Sequence, residues 1–168
     1  MISADDLQPM LTVVILLLVF TFPLVLASFS FTPFKKTVIR LLPWAAVPAL
    51  LTALTAPVDA VVDVPWFFMG GHMGLDETGR IFLFLSAFVW FLACFSCHSL
   101  LKNDRGQSCF LVFFLTCMAG NFGLILSRGM LGYYLFFAVM SFAIYGLVVH
   151  KGTGEAVKAG RIYLVLVM

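Results

Sequence analysis

Long apolar runs separated by short polar breaks constrain this chain more than any motif within it. Six runs can be drawn, at residues 10–29, 41–56, 81–101, 108–126, 131–150 and 156–168, and none contains an aspartate or glutamate. A helix that crosses a bilayer needs about 20 predominantly apolar residues, and a charge near the bilayer centre is costly. Composition agrees: 62% of residues are hydrophobic and 11% charged, against about 25% charged in an average soluble domain. Such a chain has too few polar side chains to cover a soluble surface. The net charge of +2 gives no reason to expect nucleic acid as a partner. The sequence predicts an all-α membrane protein, one membrane domain over residues 1–168, in contact with the lipid bilayer.

The run at 41–56 is the weakest, because Pro43 and Pro48 lie near its start. Pro23 in the first run is tolerable, since membrane helices accommodate proline. Asp5 and Asp6 precede that first run without a base, which argues against a cleaved signal peptide, whose leading region is positive. From residue 161 to 168 there is room for about 12 Å of helix, against a hydrocarbon core of about 30 Å. The expectation is therefore five complete transmembrane helices and a truncated sixth. The polar break at 57–80, "PVDAVVDVPWFFMGGHMGLDETGR", alternates loosely and carries a turn signal at Met69, Gly70, Gly71 and His72. It predicts a small β-hairpin in the outer loop between the second and third helices, with His72 on its surface. An isolated hairpin is marginally stable, so this one must lie on its own helices or on a neighbour.

Basic residues set the orientation. Lys35, Lys36, Arg40, Lys102, Arg105, Lys151, Lys158 and Arg161 fall on one side, and Arg80 and Arg128 on the other, eight against two of the ten. The positive-inside rule places the first side in the cytoplasm, and the N-terminus and hairpin outside. Lys158 and Arg161 read as part of this topogenic charge.

The pentapeptide "CFSCH" at 94–98 has the form of a c-type haem attachment site. It falls at the cytoplasmic end of the third run, whereas haem attachment in bacteria takes place on the opposite side. Cys94 and Cys97 are better read as small soft side chains packed on a membrane helix, as are Cys109 and Cys117. A disulfide is not expected on the reducing side. No metal-ligand spacing is present, and neither a cofactor nor a metal is expected.

Four stretches, "VPWFFMGGHMGLDETGRIFLFLSAFVW" (64–90), "CMAGNFGLILS" (117–127), "FFAVMSFAIYGLVVH" (136–150) and "AVKAGRIYLVLV" (156–167), occur in that order. Together they resemble the N-terminal part of the antiporter-like, proton-conducting membrane subunits. That family comprises the large membrane-arm subunits of respiratory complex I, related subunits of membrane-bound hydrogenases, and Mrp-type cation/proton antiporters. The resemblance implies a fragment of a redox-driven proton- or cation-translocating complex in a bacterial-type inner, or equivalent energy-coupling, membrane. Its partners would be other membrane subunits. If it counts as part of an enzyme, it is at most a non-redox subunit of an NADH-quinone oxidoreductase-like translocase. The family's working core is an inverted repeat of helix bundles, of which this chain would hold the leading helices.

One departure bears on mechanism. The family carries a glutamate on its fifth helix in the pattern F-W-E-L-M-S, and the matching run here is Phe136-Phe137-Ala138-Val139-Met140-Ser141, with Ala138 in place of the acid. The lysines that complete the family's proton path belong to later helices. The alternative function is therefore a non-conducting structural subunit of such a complex. Four residues remain as proton-path candidates, each beside a plainer reading. Ser141 and Tyr145 share a helical face with Tyr134 and Ala138, either lining a hydrated interior or allowing close packing. Asn121 is either interhelical glue or part of a path. His150, beside Lys151, either passes protons near neutral pH or anchors the helix at the interface.

Overall fold

The computed structural model describes residues 4–31, 35–56, 60–64, 71–100, 106–150 and 152–167. Among these, the elements are α1 (Ala4–Phe29), α2 (Lys35–Leu41), a 3-10 segment (Leu42–Ala46), α3 (Val47–Thr55), β1 (Ala60–Val64), β2 (Gly71–Leu75), α4 (Glu77–Leu100), α5 (Gln107–Leu126), α6 (Met130–Val149) and α7 (Gly154–Val167). Five helical stretches are long and apolar enough to cross a bilayer: Leu11–Phe29, Lys36–Thr55, Glu77–Cys97, Gln107–Leu126 and Met130–Val149. They correspond to the five runs read from the sequence. At 14 residues α7 extends about 21 Å and is not among them.

Helix ends depart from the apolar runs in a consistent direction. α1 starts at Ala4 rather than residue 10, α2 at Lys35 rather than 41, and α4 at Glu77 rather than 81. Hydropathy marks where side chains turn apolar, whereas a helix ends only where its backbone hydrogen bonds stop. The start of α4 has a cap: Asp76 Oδ1 accepts a hydrogen bond from Gly79 N at 2.7 Å, satisfying a donor that the first turn leaves unpaired. In the second span the prolines have a different effect. Pro43 stands at the start of the 3-10 segment and Pro48 at the start of α3. Each lacks an N–H to donate, so the chain tightens into 3-10 geometry between them and resumes the α form at Val47.

The predicted hairpin is present, with β1 and β2 antiparallel and paired from Ala60↔Leu75 to Val64↔Gly71. Its turn differs from the expectation. Gly71 and His72 belong to β2, and the connection, residues 65–70, lies outside the described residues. The hairpin rests on its own bundle. Met73 forms an isolated bridge with Ser127, and Arg128 N donates to His72 O at 2.9 Å, tying β2 to the α5–α6 connection.

At the centre of the bundle α5 packs against α1, α4 and α6, while α3 covers α4 and α7 covers α6. Glycines set the closest approaches. A side chain at Gly120 would meet the Met140 backbone nitrogen at 3.1 Å, and one at Gly146 would overlap the Phe113 ring. The exterior is apolar: Ile81, Phe82, Leu85, Phe88, Val89, Leu92 and Phe95 on α4 are all exposed. Hydroxyls are satisfied within their own helices, with Thr21 donating to Leu17 O, Thr52 to Pro48 O, Thr55 to Leu51 O and Ser96 to Leu92 O. Where no water is at hand, backbone carbonyls are the available partners. Among the described residues no buried side-chain nitrogen or oxygen lacks a partner.

Candidate functional site

Among the described residues, three groupings of polar side chains bear on the candidate site. At the hairpin end, Arg80 reaches from the first turn of α4 to the last turn of α3, donating from Nε to Ala53 O at 2.7 Å and from Nη2 to Leu54 O at 3.0 Å. A cation on C-terminal carbonyls also complements the helix dipole. Asp76, having capped α4 through Oδ1, holds Arg128 Nη1 at 3.9 Å through Oδ2. Both partners are partly exposed, so this pair positions the α5–α6 connection more than it stabilises it. Apart from the topological count of Arg80 and Arg128, none of these roles is visible in hydropathy, although an aspartate immediately before a helix start is a capping signal. Replacing Asp76 by alanine is expected to cost about 1 kcal/mol, read as a lower unfolding temperature in detergent; no change would show that the cap contributes nothing.

The second place lies where α4, α5 and α6 meet. Trp90 Nε1 donates to Asn121 Oδ1 at 3.2 Å, and Asn121 Nδ2 points at Met140 Sδ at 4.0 Å. Trp90 also sits edge-on to Phe114, with ring centroids 5.1 Å apart. Asn121 thus joins three helices, and Trp90 is the partner that sequence reasoning missed. In a double-mutant cycle, Trp90→Phe and Asn121→Ala should show a coupling of about 0.6 kcal/mol, the average for interhelical hydrogen bonds in a membrane protein. Strictly additive losses would mean that the bond is not formed.

The third place is the outer side of α6. Ala138 and Ser141 line a cleft of about 100 Å³ with Phe137, Phe142, Leu164 and Val167. Ser141 is buried and donates to Phe137 O at 2.8 Å, so its hydroxyl is satisfied on its own helix. Gly160 of α7 seats against Tyr145, where an added side chain would come within 2.9 Å of the ring. Three of the four residues on the expected face therefore lie at the seat of α7, while Tyr134 is exposed at the other end of the helix. His150 shares a wider cleft of about 480 Å³ with Tyr145, Cys109, Phe113 and Gly146. Its ring is edge-on to Phe110 at 5.3 Å, and its Nδ1 lies against Leu147 O. The four candidates thus fall on two interfaces. Tyr145 is brought near both Ser141 and His150, whereas Asn121 faces the opposite side of α6 through Met140.

Cys94 and Cys97 are buried, with fractional exposures of 0% and 6%, and belong to the main core cluster. Thioether bonds to a haem from these sulfurs would require α4 to come away from that core. The His98 side chain lies outside the described residues. All four cysteines are free thiols, and no group of three or more His, Cys, Asp or Glu among the described residues is placed to hold a metal.

Compared with models of known protein families and with curated proteins, the chain matches none. The geometry by itself defines a class: a mostly helical bundle with an apolar exterior and five helices of bilayer-spanning length, compatible with a multi-pass membrane protein.

Proposed function

We propose that this chain is a membrane subunit, or part of one, in a redox-driven proton- or cation-translocating complex of the antiporter-like kind. The observation that carries the reading is the order of the four resembling stretches on consecutive elements. The first covers β2 and most of α4, and the others fall on α5, α6 and α7 in turn. The apolar exterior and the five spanning lengths support placement in a membrane. The basic-residue count supports an orientation with the hairpin end and N-terminus outside an energy-coupling membrane. Redox chemistry would belong to partner subunits.

A second reading, a non-conducting structural subunit of the same kind of complex, is favoured by Ala138 and by the hydrogen bonds that already engage Ser141 on its own helix and Asn121 with Trp90. Proton relays in membranes use ionisable groups facing a hydrated interior, and the Ala138–Ser141 cleft is lined by aromatic and aliphatic side chains. One experiment tests both. The tagged chain, extracted in mild detergent, should co-migrate on a native gel with a dye-reducing redox activity. Migration only as the free chain would sink the proposal. Within the assembled complex, Ser141→Ala and Asn121→Ala should lower ions moved per electron if the chain conducts. If it is structural, they should lower the amount of complex and leave that ratio unchanged.

A further inference from the structure

The corner between α1 and α2 carries a feature that ion translocation does not use. A groove of about 280 Å³ is lined by Leu26 and Phe29 from the end of α1 and by Thr37, Val38 and Leu41 from α2. Lys36 and Arg40 are exposed on the same short helix, whose sequence, KKTVIRL, contains no acid. Among the described residues neither cation has a hydrogen-bond or ion-pair partner. At roughly 100° per residue, Lys36 and Arg40 lie about 40° apart, and Arg40 lies about 60° from Thr37 on the groove wall. An apolar trough with two exposed cations along one rim matches a molecule with an apolar chain and a negative head.

We propose that this groove holds one anionic phospholipid, its acyl chain against the exposed Phe29 and Leu41, over a floor of buried Leu26 and Val38, and its phosphate on Lys36 and Arg40. The site rests on the membrane reading above but not on ion translocation. Both cations belong to the side assigned to the cytoplasm, where anionic lipid attracts juxtamembrane bases. Charge complementarity singles out this occupant: a zwitterionic lipid would fill the trough equally well but gain less from the rim.

The test is native mass spectrometry of the full chain in detergent, titrated with phosphatidylglycerol or phosphatidylcholine of matched acyl chains, after alkaline carbonate extraction of membranes. Phosphatidylglycerol is expected to bind the wild type more tightly. The double variant Lys36→Gln/Arg40→Gln should weaken it by roughly tenfold or more, with an unchanged unfolding temperature. Thr37→Phe, which fills the groove and keeps both charges, should weaken both lipids. Lys158→Gln/Arg161→Gln, which removes two charges elsewhere, should change neither. Equal binding of the two lipids, or an equal loss in the Lys158/Arg161 control, would overturn the site alone. Release of the chain by carbonate would overturn the membrane reading and this site with it.

Discussion

Gly123→Leu is expected to prevent α5 and α6 from closing, and Gly123→Ala to destabilise the bundle by about 1–3 kcal/mol, the usual cost of overpacking a filled core. A side chain at position 123 would occupy the space of the Phe136 ring. That ring has nowhere to go. It is buried and sits edge-on to Phe20 of α1, with centroids 5.3 Å apart. Phe136 is thus a wedge between the central helix and α1, admitted by the absence of a side chain on α5. Thermal unfolding in detergent checks the loss, and the pair Gly123→Ala/Phe136→Leu should recover part of it, because neighbouring sites couple. If Gly123→Leu unfolds like the wild type, the close α5–α6 contact is wrong.

Ala138→Glu places an acid at the position where the antiporter-like pattern would carry one, and the expected result is loss of folded protein without gain of proton flux. The new carboxyl would enter the cleft between α6 and α7, whose other walls are Phe137, Phe142, Leu164 and Val167 with only Ser141 as a polar neighbour. Ser141 already donates to Phe137 O. An unpaired acid within a membrane helix costs roughly 3 kcal/mol, and nothing on the cleft wall is positioned to repay it. Ala138→Leu, which adds an apolar side chain beside the same void, should be tolerated far better. Folded yield and pH-dye flux in proteoliposomes distinguish the outcomes. If the Ala138→Glu variant is stable and moves protons, this face lines a hydrated path and the conducting reading is favoured.

Much of the architecture was legible in the chain. Uninterrupted apolar runs predicted each of the five bilayer-length helices, even the one weakened by Pro43 and Pro48, because an apolar run records the environment of its own residues. The hairpin was legible for the same local reason, in its alternation and its Gly-Gly. Its register, from Ala60↔Leu75 to Val64↔Gly71, was not, since the loose alternation left open which residues pair.

Of the candidate site, Asn121 stood out as an amide in an apolar run, but its partner Trp90 lies 31 residues away. Arg80 reaches carbonyls 27 and 26 residues back. Helices that are apolar on every side carry no stripe to say which face meets which neighbour. The sequence by itself therefore determined the number of spanning-length helices and the alternation of charge. Only the tertiary structure decided that Ser141 faces α7 while its neighbour Met140 faces Asn121. Neighbouring residues on a helix lie about 100° apart, and packing, made through Gly120, Gly123 and Gly160, selects which of those directions is interior.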